Sequence, residues 1–363
     1  MTSEPMGTFY RDLASKNMDA LWRGRPPAGS NSGRSAPYPP CRWSWSDIRP
    51  FMDRASELVA TGPDAERRVV QLIHPELTGL RSASHTLTAN VQMVLPGEIA
   101  PSHRHTTAAI RFIIEGSAAV TIVDGEPVEM RPGDLVLTPG DCWHGHINES
   151  DGPMLWMDTL DRPIVSAFRQ VHQQSYDTTL QAVTKQTGDS LARYGAGALR
   201  PVGTIPHAPV SPLCLYSWAT TEAALERLAS SEVDPFDDVA FDYINPVTGG
   251  SVLPTIGCRI QMIRRGVRTK AHRHSSVSVY HVFRGAGATI VDGVRIEWKQ
   301  GDFFVVPPYA WHEHDNAHGE DAMLFSTTDT PALTALNLLR EEAYEALDGH
   351  QPVVALYTDG ARS

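Results

Sequence analysis

The chain carries one pattern of histidines, glycines and prolines twice, which limits it to two copies of a single small unit joined in tandem. The first copy reads Gly97, His103-Arg104-His105, Arg111, Gly116, Gly133, Pro139, His144, His146 and Asn148. The second reads Gly266, His272-Arg273-His274, Gly285, Gly301, Pro307, His312, His314 and Asn316, offset by 169 residues at the paired histidines and 168 at the later one. Where the first copy has Arg111 the second has Tyr280. That asymmetry points to one working metal centre and one retired or structural one.

Each copy is built from short β-branched and apolar runs broken by turn residues. In the first these include Arg68–Ile73, Thr86–Leu95, Ala109–Ile114, Ala118–Val123, Leu135–Thr138 and Met154–Met157. Asp124-Gly125 and Asp292-Gly293 between strand-like runs are hairpin signals, and many short strands at regular spacing mean a sandwich or barrel. Elsewhere the spacing predicts a short amphipathic helix over 8–22 and a Pro/Gly/Ser-rich arm over about 25–42, of the kind that wraps a neighbouring subunit. It also predicts a helix over Glu222–Ala229 and a closing helix over Pro331–Leu347.

A formal charge of −11 over 363 residues excludes a general nucleic-acid or polyanion partner, because phosphate binding needs a net basic face. An anion must instead be captured locally, by a few arginines. Cys41, Cys142, Cys214 and Cys258 show no metal-knuckle or disulfide spacing, which suits a reducing cytoplasm. The N-terminal residues lack the basic flank and apolar core of a signal peptide, and no apolar run approaches the roughly 18 residues that span a bilayer.

Histidines two apart on a strand point to the same face, because strand side chains alternate with period two. His103 and His105, joined by His144 from another strand, can occupy one face of a metal's coordination sphere. Three neutral imidazoles suit iron(II), and also zinc, copper or nickel. His272, His274 and His312 keep the same spacing, so the sequence permits a second metal. Arg111 sits in the apolar run AAIRFII, where a guanidinium is costly to bury without an anionic partner. Its partner is a substrate carboxylate or, structurally, Asp158.

These residues resemble the cupin superfamily, whose motifs are G-x5-HxH-x3-4-E-x6-G and G-x5-PxG-x2-H-x3-N. Both copies follow the spacing, so the resemblance implies an all-β bicupin with two double-stranded β-helix (jelly-roll) barrels. The chain then divides into an N-terminal helix and arm over 1–67 and a catalytic N-terminal cupin over 68–162. A helical or irregular linker follows over 163–249, then a structural C-terminal cupin over 250–328 and a helix and tail over 329–363. The sequence departs from the motifs at the ligand glutamate, which is Ala109 and Ser278, and at the motif-two glycine, which is Asp141 and Tyr309.

A narrower resemblance covers nearly the whole chain. PGEIAPSHRHTTAAIRFIIEG, GDLVLTP, WHGHINES, MDTLDRP, AHRHSSVSVYHVFRG and DFFVVPPYAWHEH are similar to gentisate 1,2-dioxygenases and their salicylate and 1-hydroxy-2-naphthoate dioxygenase relatives. It implies one iron(II) per subunit on His103, His105 and His144, a small aromatic acid and O2 as reactants, ring opening between the carboxyl-bearing and hydroxyl-bearing carbons, and a homotetramer. Arg111 then grips the substrate carboxylate and one of Arg67 and Arg68 supplies a second positive charge. His146 hydrogen-bonds substrate or acts as acid/base, and Asp158 orients Arg111 or a ligand histidine. Gln92 is either substrate-facing or a buried barrel amide; Thr86, Thr88 and Asn90 share its face and line the wall that meets a ring substituent. Trp143 and Trp311 are read as packing. Two other readings stay open at this stage: a non-oxidative cupin isomerase or decarboxylase using manganese or zinc, and a non-catalytic cupin that binds a small ligand.

Overall fold

The computed structural model describes residues 4–23, 34–60, 67–204 and 209–359. It divides into a short N-terminal unit up to Ser35 and a body from Ala36 onward. In the first unit a helix runs Glu4–Ser15, ending where Asn17 adopts a positive φ of 56°, so the expected helix stops short and Met18–Trp22 lie beyond it. Phe9 still meets Trp22, their rings stacked at 6.3 Å.

Each repeat forms a barrel of two sheets, antiparallel throughout except where Val294–Lys299 pairs in parallel with Ala355–Leu356. In the first, the larger sheet runs in the spatial order Leu215–Tyr216, Leu135–Thr138, Ala109–Glu115, Met154–Leu160, Thr88–Val94, Arg68–Leu72. The smaller runs Gln173–Ser175, Ile99–His105, His144–Ile147, Ala119–Val123, Glu126–Met130. The second repeat matches it: Cys41–Trp43, Phe303–Val306, Ser278–Arg284, Ala322–Thr328, Gly257–Ile263, Val239–Asp242 face Glu341–Ala343, His272–His274, His312–Asp315, Ala286–Val291, Val294–Lys299, Ala355–Leu356. The hairpin turns are as predicted: Asp124 and Gly125 have φ of 43° and 80°, Asp292 and Gly293 46° and 80°, the two positive values that a type I′ turn requires.

Alternation along the larger sheets decides what faces where. In Ala109–Glu115, Ile110 and Phe112 enter a core shared by both barrels, whereas Ile113 joins the apolar interior of the first. Phe112 stacks on Phe325 of the second barrel at 4.1 Å and meets Phe283 edge-on at 5.3 Å. A ring buried so completely is worth about 3–5 kcal/mol against alanine. Arg111, one residue out of phase with Phe112, is thereby turned into the first barrel.

The repeat extends further than its histidines. Ser44 caps a helix over Trp45–Leu58 and Ser217 caps one over Trp218–Leu228, each accepting from the backbone N–H three residues on. Each cap follows a short strand, and the two are exchanged. Cys41–Trp43 pairs with Phe303–Val306 of the second barrel and Leu215–Tyr216 with Leu135–Val136 of the first. The amide of Trp45 donates to Asp302 and that of Trp218 to Asp134. A Cβ at Gly301 would lie 2.3 Å from the Trp45 ring, and one at Gly133 2.6 Å from Trp218, so both turn glycines are needed for close approach. Of the arm expected to embrace another subunit, Cys41 and Arg42 at its end pair within their own chain; residues 24–33 lie outside the described residues.

The tail corrects another expectation. The helix covers only Thr330–Ala335, because Asn337 takes a φ of 56°, and Glu341–Ala343 then pairs with His272–His274. The first repeat does the same with a helix over Arg162–Ala167 and the strand Gln173–Ser175, which lies against His103–His105. A leucine-rich stretch satisfied the helical spacing without packing as one: Leu336 and Leu338 are exposed.

Candidate metal centre

His103 and His105 end one strand of the smaller sheet and His144 begins the next, paired with His103. One ligand nitrogen from each lies within 4.8 Å of the others, and the ring centroids are 4.7–5.3 Å apart. Two of the rings are oriented from behind. Nδ1 of His105 donates to the Thr107 carbonyl at 2.7 Å, and Nδ1 of His144 to the Cys142 carbonyl at 3.0 Å. Holding the proton on Nδ1 leaves Nε2 a lone pair, the tautomer a metal needs. Nε2 of His144 is buried with no hydrogen-bond partner. Burial, reinforced by the Arg67 and Arg111 charges, pushes His105 down to about 4 and His103 down to about 2, so the cluster is neutral at physiological pH. Neutral, converging imidazoles with an orphaned nitrogen fit a divalent transition metal.

The barrel wall beside the triad is cationic. Arg111, Asp158 and Asn90 stand opposite one another on three adjacent strands, all buried. Arg111 Nη1 donates to Thr138 at 2.7 Å, and its Nε lies 3.1 Å from Asp158 Oδ1. That contact is misaligned for a hydrogen bond, so both atoms are left without one. Desolvation lowers the Arg111 pKa and raises that of Asp158, each countered by the other's charge. The pair is attractive but unsaturated, with Arg111 Nε and Asp158 Oδ1 both left without a hydrogen bond.

The neighbouring arginines separate by alternation. Arg67 reaches the site, with Nη2 3.0 Å from His103 Nε2 and 3.2 Å from the Pro101 carbonyl. Arg68 faces the other way: it forms a two-pronged bond to Glu98, both contacts 2.9 Å, and donates to the carbonyls of Ala55 and Val59. The structure thus places Arg67, and not Arg68, beside the triad. Glu98 also accepts from the Leu95 amide at 2.8 Å, so Arg68 ties a helix to a turn.

His146 shares the face of His144. Thr121 Oγ1 lies 3.0 Å from Met130 Sδ and 2.8 Å from His146 Nδ1, and His146 Nε2 is buried with no partner. Gln92 is buried with its Nε2 likewise unpartnered, and Thr88 bonds the Leu160 carbonyl at 3.4 Å. Thr86, expected on the same wall, instead donates to Asp329 at 2.8 Å, toward the second repeat. Trp143 packs edge-on against Tyr176 and under Arg104, as Trp311 does with Tyr344 and Arg273. The sequence missed Thr107, Thr121 and Thr138, whose signal was period-two spacing next to the residues they serve. Asp141 and Tyr309 keep φ of 63° and 60° in place of the motif glycine.

Two such barrels, each with an inward-facing histidine triad, define a bicupin. The cupin domain family matches residues 90–160 and 259–328. The 5-aminosalicylate 1,2-dioxygenase of Comamonas sp. is 38% identical over 95% of this chain and 92% of its own. The gentisate 1,2-dioxygenase 1 of Aquipseudomonas alcaligenes is 38% identical over 92% and 95%. The crystal structure of salicylate 1,2-dioxygenase from Pseudoaminobacter salicylatoxidans with gentisate superposes with a TM-score of 0.86 at 32% identity, covering 94% of each chain. The chain belongs to the gentisate and salicylate 1,2-dioxygenase family of bicupins.

Proposed function

We propose that this chain opens the ring of a salicylate-type aromatic acid with O2, between the carboxyl-bearing and hydroxyl-bearing carbons, using iron(II) on His103, His105 and His144. The observation that carries the reading is Arg111: a buried guanidinium whose Nε has no hydrogen-bond partner, in the barrel that holds a triad of neutral histidines. When bound, iron(II) supplies a chelation point for the acid's carboxylate and hydroxyl and an electronic link between ring and O2.

The remaining work falls to side chains. Arg111 holds the carboxylate by charge-assisted hydrogen bonds, and Asp158 positions its guanidinium. Arg67, beside His103, adds a positive charge that attracts the anionic substrate. His146 Nε2 is placed to take the proton of the substrate hydroxyl, with Thr121 hydrogen-bonded to its Nδ1. Gln92 offers an amide donor. Thr88 and Asn90 give the wall a polar surface, which suits a 5-hydroxyl or 5-amino substituent. The favoured substrates are gentisate and 5-aminosalicylate. A homotetramer in the cytoplasm is the expected setting, consistent with four unpaired cysteines and with no helix, among the described residues, long and apolar enough to cross a membrane.

The test is oxygen uptake by anaerobically iron(II)-loaded protein offered gentisate, 5-aminosalicylate, salicylate, 5-nitrosalicylate and 1-hydroxy-2-naphthoate, with product spectra. Uptake matched by ring-opened product is the expected result; no uptake with any of them refutes the proposal.

A further inference from the structure

The second barrel retains a full ligand set that the reaction above does not use. Ligand nitrogens of His272, His274 and His312 lie within 4.8 Å of one another. The supports repeat those of the first triad: His274 Nδ1 donates to the Ser276 carbonyl at 2.8 Å and His312 Nδ1 to the Ala310 carbonyl at 3.1 Å. Both Nε2 atoms are therefore left as lone pairs. His272 Nδ1 is buried without a hydrogen-bond partner. A cavity of about 390 Å³ opens beside His272 and His274.

The charge around this triad is inverted. Where the first barrel has Arg111 and Asp158, the second has Tyr280 and Ser326, paired across the same two strands. Its guanidinium sits one strand further on, at Arg259 opposite Ser326, and is already engaged by Asp237 at 2.5 Å and Asp242 at 2.8 Å. Asp237 also receives Gln261 Nε2, at 2.8 Å on its carbonyl and 3.3 Å on Oδ1. Besides histidines, the charged side chains lining the cavity are Asp234, Asp237, Glu341 and Glu342 against Arg259; with Glu342 paired to Arg273, the acidic groups still outnumber the basic ones. Such a wall balances a divalent cation and repels a dianion.

We propose that the C-terminal cupin binds a second divalent transition-metal ion on His272, His274 and His312, and that its acidic cavity excludes the aromatic acid from that ion. The second centre is structural: its metal ties the strand His272–His274 to His312 and thereby stabilises the fold. The inference is independent of ring cleavage, since neither half of it reads oxygen consumption.

Cobalt(II) is the probe. Metal-free protein is titrated anaerobically, bound metal is counted, and the visible spectrum and thermal midpoint are recorded. The full chain should bind two cobalt ions, His144→Gln one and His272→Gln one. In His144→Gln the remaining cobalt should raise the thermal midpoint, and millimolar gentisate should leave its spectrum unchanged. One cobalt per unaltered chain overturns the second site without recourse to any variant, as do two that His272→Gln fails to reduce. A gentisate-induced spectral shift in His144→Gln overturns the exclusion of the acid.

Discussion

Replacing Arg111 with methionine should damage the protein in two separable ways. The side chain is only 4% exposed and its counter-ion Asp158 only 7%, so methionine leaves a carboxylate buried without its cation, a loss of about 3–5 kcal/mol of stability. The same change removes the donors offered to the substrate carboxylate. Two charge-assisted hydrogen bonds at about 1.5–3 kcal/mol each amount to a fall of roughly 10²–10⁴ in kcat/KM. Adding Asp158→Asn separates the effects, because a neutral amide no longer needs the guanidinium. The double variant should recover most of the thermal midpoint and none of the turnover. The assay is scanning calorimetry beside oxygen uptake with gentisate, with bound iron measured in every variant and expected to be retained. If Asp158→Asn restored turnover together with stability, Arg111 would be one half of a structural ion pair and the substrate assignment would be wrong.

Three further outcomes follow from the same geometry. Glu98→Gln, which weakens the anchor of Arg68, should lower the thermal midpoint by the equivalent of about 1–3 kcal/mol while kcat/KM for gentisate stays within twofold; a tenfold kinetic loss would return Arg68 to the site. His146→Gln should keep its iron yet lower kcat about 10²-fold and flatten the acid limb of the pH–rate profile, and loss of iron instead would make it a ligand. Metal-free protein should weaken as pH falls below 6.5. Burial holds His105, His272 and His314 down to about 4 and His281 down to about 3, whereas the unfolded chain takes up protons near 6.5. The stability these neutral imidazoles contribute is complete above 6.5 and is lost as pH falls toward 4, at up to about 1.4 kcal/mol per pH unit for each. A thermal midpoint that stays level from pH 7 to 5 would contradict that.

The barrels and their first triad were legible because both rest on period two: HxH on a strand has only one face to show, and a turn glycine followed by a histidine returns the chain to it. The same rule, carried one residue further, separates Arg67 from Arg68, since odd and even positions on the larger sheet serve different interiors. What stayed hidden were interactions without a local period. The helix Trp45–Leu58 contains Pro50, which argues against a helix, and only comparison of Cys41–Trp45 with the segment before Trp218 reveals its cap. The tail misled because leucines at helical spacing are equally consistent with an exposed turn and an edge strand. Asp237, which sets the charge of the second cavity, comes from a loop outside the repeat and carries no motif.

The exchanged strands bear on how the molecule is made and how it can be divided. Cys41–Trp43 leaves the ribosome some 260 residues ahead of its partner Phe303–Val306, so it must wait, unpaired, while the first barrel closes. Contacts that distant in sequence slow folding, and an unfilled sheet edge is open to pairing with another chain. Cutting the gene between the histidine repeats would leave the second half without Cys41–Trp43 wherever the cut fell, and would cost the first half Leu215–Tyr216 only if it fell before Leu215. The duplicated halves have ceased to be interchangeable modules: the first barrel draws every strand from residues 68–216, but the second has a complete sheet only when Cys41–Trp43 is supplied from the far side of the first.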